Sequence, residues 1–175
     1  KRERMRIDHR AYFTPRGTLR IRVTDAATGR ASAARVSITG PDGRGYAPDD
    51  AWRHADDGFD RAERKLEYAY FHSSGTATMS LPAGTFSVEI SRGPEYRVER
   101  RSEVVAPEKT TTLRIALRRL DDLPARGWYS GDLHVHMNYG GAYRNEPAHR
   151  AFQARAEDLH VVENLIVNKE GRFPD

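Results

Sequence analysis

Short stretches in which apolar and polar residues alternate fill most of the first 118 positions of the chain. In residues 18–25, for example, Leu19, Ile21 and Val23 are separated by polar side chains. Successive side chains of a strand point to opposite faces, so this period of two predicts strands with one buried face. The alternation and the turn residues between the stretches predict seven strands, at 18–25, 34–40, 66–71, 75–81, 85–91, 96–105 and 110–117. Seven short strands separated by turns indicate an antiparallel β-sandwich.

Residues 46–64 interrupt this rhythm with clustered aspartates, Trp52 and Phe59. A segment of this length exceeds most loops of compact domains, so it is a functional loop, a disordered segment or the site of a short helix. The aspartates do not have the spacing of a calcium-binding helix–loop–helix. We expect the aromatic residues to anchor the segment to a neighbouring surface.

A different order of elements follows the polar, proline-containing stretch 120–127, which marks a domain boundary. Residues 131–136 have strand character, and Pro147 is preceded by Asn and Glu, a typical helix start. Apolar residues then recur at helical spacing before a second strand-like run at 161–167. The order strand, helix, strand predicts a βαβ unit.

The strand at 131–136 contains the clearest candidate chemistry. Strict alternation places Asp132, His134 and His136 on one face of a buried strand, and Leu133 and Val135 on the other. Neutral imidazole is a common ligand of Zn, Fe, Cu and Ni. The histidines are therefore candidate metal ligands, and Asp132 is a candidate partner for an imidazole N–H.

Other interpretations of the histidines remain open. A pair of hydrogen-bonded histidines at a strand end explains His134 and His136 without a metal. His72 has no candidate partner nearby in the sequence and is expected to be structural. His149 and His160 lie on or beside the predicted helix, where surface or packing roles are expected.

Composition limits the classes of function. The chain is 38% hydrophobic and 31% charged, and no stretch approaches the ~20 apolar residues of a membrane span. Without cysteine, a metal must be held by nitrogen and oxygen donors. The net charge is +4, but the arginines alternate with apolar residues as on a solvated sheet face, so no nucleic-acid partner is expected. No signal peptide is visible; because the chain begins with Lys1, we expect its natural start to lie upstream, which leaves the compartment open.

Residues 17–119 resemble the carboxypeptidase-regulatory-like, or transthyretin-like, sandwich family. The resemblance rests on residues 19–25 with Thr28-Gly29, on the strand start Gly75-Thr76, and on residues 81–86, Leu-Pro-Ala-Gly-Thr-Phe. Members of that family are usually accessory modules.

Residues 127–136, Gly-Trp-Tyr-Ser-Gly-Asp-Leu-His-Val-His, resemble the first metal motif of the PHP (polymerase and histidinol phosphatase) superfamily. This ten-residue sequence is most similar to the branch of carbaryl-hydrolase-type metallohydrolases, some of which carry an N-terminal β-sandwich. The resemblance implies a distorted α/β barrel with two or three metals at its mouth. It implies His134 and His136 as ligands of a divalent Zn, Mn or Fe, with Asp132 in support.

At the position of the second metal motif of that family, this chain departs from the family pattern. Family members commonly end the second strand in Asp-His, whereas residues 162–170 contain no such pair. Asn168 and Glu170 fall near the expected strand end and are possible substitutes. A barrel needs ~200 residues or more, and 49 follow Arg126. We therefore expect the front part of a longer enzyme, inactive by itself and lacking some ligands.

The sequence predicts a mainly β protein with four segments: an extension (1–16), a sandwich (17–119), a linker (120–127) and the truncated start of an α/β barrel-type domain (128–175). The leading hypothesis is a metal-dependent hydrolase that acts on a small-molecule ester, amide, carbamate or phosphoester. An alternative is a β-sandwich module that binds carbohydrate or protein through an aromatic groove of Trp52, Phe59 or Tyr70. A transthyretin-like oligomer with an exposed sheet edge is a third possibility.

Overall fold

The computed structural model describes residues 14–55, 69–136 and 147–165. Over these ranges the chain is mainly β, with ten strands and one α-helix. The strands are β1 (Arg16–Asp25), β2 (Ala34–Thr39), β3 (Arg53–Ala55), β4 (Ala69–Ser73), β5 (Thr76–Pro82), β6 (Gly84–Ser91), β7 (Glu99–Val105), β8 (Thr110–Leu117), β9 (Gly131–His136) and β10 (Val161–Leu165). Helix α1 covers Pro147–Ala156, and a single 3-10 turn covers Pro124–Arg126.

Strands β1 to β8 form two sheets that share one apolar core. One sheet has the order β5-β1-β8, and the other has the order β3-β4-β2-β6-β7. Their inward side chains are almost fully buried, among them Leu19, Ile21, Phe71, Phe86 and Val88. This arrangement confirms the β-sandwich that the alternating pattern predicts.

The prediction of seven antiparallel strands is wrong in two details. The described residues contain an eighth sandwich strand, β3, in the segment expected to be a loop or a short helix. Strands β1 and β8 pair in parallel, with Thr18 opposite Thr110. Alternation reveals which side of a strand is buried, but it carries no information on the direction of its neighbour.

Strands β9 and β10 form a separate two-stranded parallel sheet, with α1 between them in the chain. This is the strand–helix–strand order that the sequence predicts. Helix α1 contacts β4 and β2 of the sandwich, and Arg150 Nη1 donates a hydrogen bond of 2.8 Å to the carbonyl of Val162 in β10. No helix in the described ranges is both long and apolar enough to cross a membrane.

The expectation that β9 is a buried strand is wrong for the described side chains. Leu133 is 64% exposed, and Asp132 and His134 are also exposed. The helix that follows β9 packs on β4 and β2 of the sandwich, and of the two apolar residues of β9 Leu133 stays exposed while Val135 is half-buried.

Candidate functional site

The proposed metal motif lies along β9. His134 is in the strand with its side chain exposed, and His136 is the last residue of the strand, paired with Leu165 of β10. The carboxylate of Asp132 accepts a hydrogen bond of 3.0 Å from the backbone N–H of His134. Asp132 therefore constrains the main chain at His134, a local role that the sequence did not suggest.

A β-bulge interrupts β9 within this motif. Asp132 pairs with Val162 and Val135 pairs with Asn164, so two β9 residues lie opposite one residue of β10. The two β9 residues at the bulge are Leu133 and His134, and the additional residue there breaks the strict alternation predicted for the strand. Bulges change the direction of side chains and are frequent beside active sites. The bulge, stabilised by the Asp132 side chain, gives the histidine motif a local geometry of its own.

The donors on β9 fit part of a metal site. Imidazole and carboxylate suit Zn, Mn and Fe, and the chain has no thiolate to compete with them. Within the ranges that the structure describes, no group of three or more His, Asp or Glu side chains is arranged to hold a metal. The suggested substitutes Asn168 and Glu170 lie outside the described residues.

Two further histidines occupy a packing and a surface position, the two roles expected for them: His149 is half-buried and His160 is exposed. His149 of α1 makes an edge-to-face contact with Trp52, with ring centroids 4.8 Å apart. His160 lies beside Tyr129, and its Nδ1 is 2.9 Å from the Ser130 hydroxyl. Trp52 is thus a contact between the 46–55 segment and α1, as expected for an anchoring aromatic residue.

A cluster of charged groups joins the end of α1 to the sandwich. Its members, which we call the acidic junction, are Glu157 and Asp158 after α1 and four sandwich residues, Arg35, His72, Arg92 and Arg119. The carboxylate of Glu157 lies 2.7 Å from both Arg35 Nε and His72 Nε2. Asp158 lies 3.2 Å from Arg92 Nη2 and 2.8 Å from Arg119 Nη2. His72 and Asp158 have 5% and 6% of their side chains exposed, so these two groups are largely desolvated, while the arginines around them remain partly exposed.

The acidic junction alters the ionisation of Glu157. Burial opposes its charged form, but hydrogen bonds from His72 and Arg35, together with the Arg35 charge, outweigh that effect and lower the pKa of Glu157 below its ordinary value. Because the pKa of Glu157 is lowered in the folded state, its ionised carboxylate stabilises the fold at pH values above the ordinary glutamate pKa. This stabilisation is lost as the pH falls through the lowered value.

The acidic junction was not predicted from the sequence, because its members are far apart in the chain. Glu157 is 122 positions from Arg35 and 85 from His72. One signal was available. Two acidic residues directly after a helix lie at the negative end of its dipole, which disfavours them unless cations compensate. His72, expected to be structural and without a partner nearby in sequence, has its partner in Glu157.

A groove lies where the 48–52 turn, β4, β5 and α1 meet. Its volume is about 690 Å³, within the range of small-molecule sites. The lining combines aromatic, acidic, amide and hydroxyl side chains from the sandwich and from α1, including Asp49, Asp50, Trp52, Thr78, Phe152 and Gln153. Of the aromatic residues suggested for a binding surface, Trp52 lines this groove. Tyr70 instead lies over the Arg35 guanidinium at 4.2 Å, and Phe59 falls outside the described residues.

Comparisons with known proteins leave the family of this chain open. No protein-family model matches it, and no curated protein matches it. Among solved structures, the TIE protein of Bacillus anthracis is similar at 15% identity and a TM-score of 0.39, over 60% of this chain and 17% of that one. The minor pilin of Streptococcus agalactiae is similar at 18% and 0.43, over 62% of this chain and 47% of that one. The C-terminal domain of the shaft pilin spaA from Lactobacillus rhamnosus GG is similar at 15% and 0.37, over 59% and 98%. Likenesses at this level carry no information on function.

Proposed function

We propose that residues 128–175 provide the first part of a metal-dependent hydrolase domain of the PHP type, carried behind a β-sandwich. The observation that supports this most directly is the placement of the Asp-Leu-His-Val-His motif. It lies on a strand that pairs in parallel with the next strand across a helix, and His136 is the last residue of that strand. The carboxyl ends of parallel strands are where α/β proteins build their sites.

In this proposal His134 and His136 hold a divalent Zn, Mn or Fe, and Asp132 fixes the backbone at His134 through its 3.0 Å hydrogen bond. When bound, such a metal activates water and polarises the scissile oxygen of an ester, amide, carbamate or phosphoester. The ligands that complete the site lie outside the described residues, with Asn168 and Glu170 as candidates. The described part of the chain alone is therefore expected to be inactive on its small-molecule substrate.

In the full-length protein, removing both imidazoles is expected to reduce the metal content at least tenfold and to abolish hydrolysis. The measurement is elemental analysis after dialysis, with a panel of ester, carbamate and phosphoester substrates, on the His134→Ala/His136→Ala variant. His149→Gln serves as the matched control, because it removes an imidazole on α1 that packs against Trp52. Unchanged metal content and activity in the double variant would refute the proposal.

The groove beside α1 favours a second candidate function, a sandwich module that binds saccharides. Aromatic faces with acidic, amide and hydroxyl groups around them suit an uncharged polyhydroxylated ligand, and Trp52, Phe152, Asp49 and Gln153 supply these groups.

This candidate predicts that Trp52→Ala and Gln153→Ala each weaken binding to a saccharide selected on a glycan array by about tenfold, the effect of losing ~1.4 kcal/mol. Calorimetric titration of the full chain gives the affinity. Tyr129→Ala is the control, because Tyr129 is an exposed aromatic residue outside the groove. If the unmodified chain retains no saccharide on the array, the groove does not have this function.

A further inference from the structure

At the end of α1, the contact between the βαβ unit and the sandwich is built from charges on both sides. Glu157 is held by Arg35 and His72, and Asp158 by Arg92 and Arg119. Arg35 and His72 lie on the adjacent strands β2 and β4, while Arg92 and Arg119 follow β6 and β8. Attachment at two separate places restricts the rotation of the end of α1 as well as its distance from the sandwich.

A chain of hydrogen bonds continues from the acidic junction to the start of β9. The carbonyl of Asp158 accepts a hydrogen bond from the Ser130 hydroxyl. The carbonyl of Ser130 in turn accepts bonds from the backbone N–H groups of His160 at 2.9 Å and Val161 at 3.1 Å. Ser130 immediately precedes β9. Asp158, whose carboxylate is bound by Arg92 and Arg119 of the sandwich, is therefore hydrogen-bonded directly to the residue before the histidine strand.

The linker before β9 is fixed to the same place. Glu95, which is 6% exposed, binds Arg119 Nη1 at 2.6 Å. The same carboxylate accepts the backbone N–H of Leu123 at 3.1 Å, and the Glu95 carbonyl accepts the N–H of Leu120 at 2.7 Å. The Arg119 guanidinium therefore binds both Glu95, which holds the linker before β9, and Asp158, which is bonded to Ser130. We call this set of contacts, from Arg119 through Asp158 and Ser130 to β9, the path.

We propose that the sandwich is a positioning element for the histidine strand, and that Asp158 and Ser130 are the positioning residues that transmit its orientation. The role assigned to the strand itself rests on the proposed metal function. Charge-assisted hydrogen bonds suit this task because they are both strong and directional. Loss of one partner leaves a buried charge uncompensated, so the arrangement is retained or lost as a unit.

Two variants test the path without removing a metal ligand. Asp158→Asn keeps a residue type that accepts the left-handed backbone found there (φ 54°) but removes the charge that Arg92 and Arg119 hold. Ser130→Ala removes the hydroxyl that reaches the Asp158 carbonyl, and Ser130→Thr restores a hydroxyl. Glu89→Gln is the control, because Glu89 forms an exposed ion pair with Arg100 on the sandwich surface.

The first readout is hydrogen exchange of the β9 amides in the full chain. We expect at least tenfold faster exchange in Asp158→Asn and Ser130→Ala, with recovery in Ser130→Thr and no change in Glu89→Gln. Exchange within β1 and β8 should stay unchanged in all four variants, which separates loss of position from general unfolding. If β9 exchange is unchanged in both Asp158→Asn and Ser130→Ala, the sandwich does not position the strand.

The second readout is the visible spectrum of the protein loaded with Co²⁺. A displaced strand alters the bands or weakens Co²⁺ binding at least tenfold in Asp158→Asn and Ser130→Ala, and Ser130→Thr reverses the change. Bands and affinity that are identical in all variants would show that the path does not reach the ligands, which overturns the proposal. If the unmodified full-length protein binds no metal, the proposed hydrolase function fails, while hydrogen exchange still decides whether the sandwich positions β9.

Discussion

The Gly93→Ala variant is expected to lose about 1–3 kcal/mol more stability than Gly29→Ala and to detach α1 from the sandwich. Both glycines have left-handed backbones, with φ of 56° and 68°, so both substitutions carry the ~1–2 kcal/mol penalty of that conformation. Only at Gly93 does the added methyl meet other atoms. It would overlap the backbone carbonyl of Glu157 and lie 2.9 Å from Asp158 Cβ, whereas Gly29 has open space around it. Overpacking of this kind typically costs ~1–3 kcal/mol.

Urea denaturation of the two glycine variants measures this difference, and proteolysis in the native state reports whether the 120–131 segment becomes accessible. The close approach at Gly93 places the end of α1 against the sandwich backbone, which leaves no flexible side chain to yield. Equal loss of stability in Gly93→Ala and Gly29→Ala would show that the contact between Gly93 and Glu157 adapts at no cost.

The Arg119→Ala variant is expected to lose about 3 kcal/mol of stability. It leaves the carboxylates of Glu95 and Asp158, each 6% exposed, without one of their main partners. Removing one member of a buried ion pair typically costs ~3–5 kcal/mol, and the lower end applies because Arg119 itself is 23% exposed. The aromatic contact with Tyr96, whose ring centroid is 4.5 Å from the guanidinium carbon, is lost as well.

Thermal and urea denaturation of Arg119→Ala, beside Arg118→Ala, test this expectation. Arg118 is the exposed neighbour on the same segment, and exposed positions of this kind usually change stability by less than ~0.5 kcal/mol. A loss in Arg119→Ala no larger than in Arg118→Ala would mean that solvent replaces the guanidinium, and that the acidic junction contributes little to stability.

The strands of the sandwich could be predicted because burial there follows a period of two. Leu19, Ile21 and Val23 are at most 1% exposed, while the intervening Arg20 and Arg22 are exposed. The three-residue strand β3 could not be predicted, since it is too short for alternation to show and lies in an acidic, aromatic segment. The parallel pairing of β1 with β8 was also hidden, because partner direction depends on chain path and not on composition.

The residues of the candidate site could be predicted from the sequence, but the geometry of the strand that carries them could be predicted only in part. The sequence placed Asp132, His134 and His136 on one strand, which the structure has as β9. It did not show the bulge at Leu133 and His134, because a bulge is a property of two paired strands. It also implied burial from the alternation of β9, although burial requires a covering layer that alternation alone does not guarantee.

The acidic junction escaped prediction for a different reason. Arginine, glutamate and aspartate on a sequence are indistinguishable from ordinary surface charges until the fold brings them together. Only the position of Glu157 and Asp158 at the negative end of α1 sets them apart.

The parallel pair β1–β8 also governs the order in which the chain can fold. Thr24 and Ile115, which are joined by a hydrogen bond across this pair, are 91 positions apart. The other neighbour of β1 is β5, so β1 has neither partner until residues 76–82 have been synthesised and gains the second only with residues 110–117. Contacts between such distant segments form late and slowly. The sandwich, and with it the surface that receives Glu157 and Asp158, therefore cannot be completed before residues 110–117 are available to pair with β1.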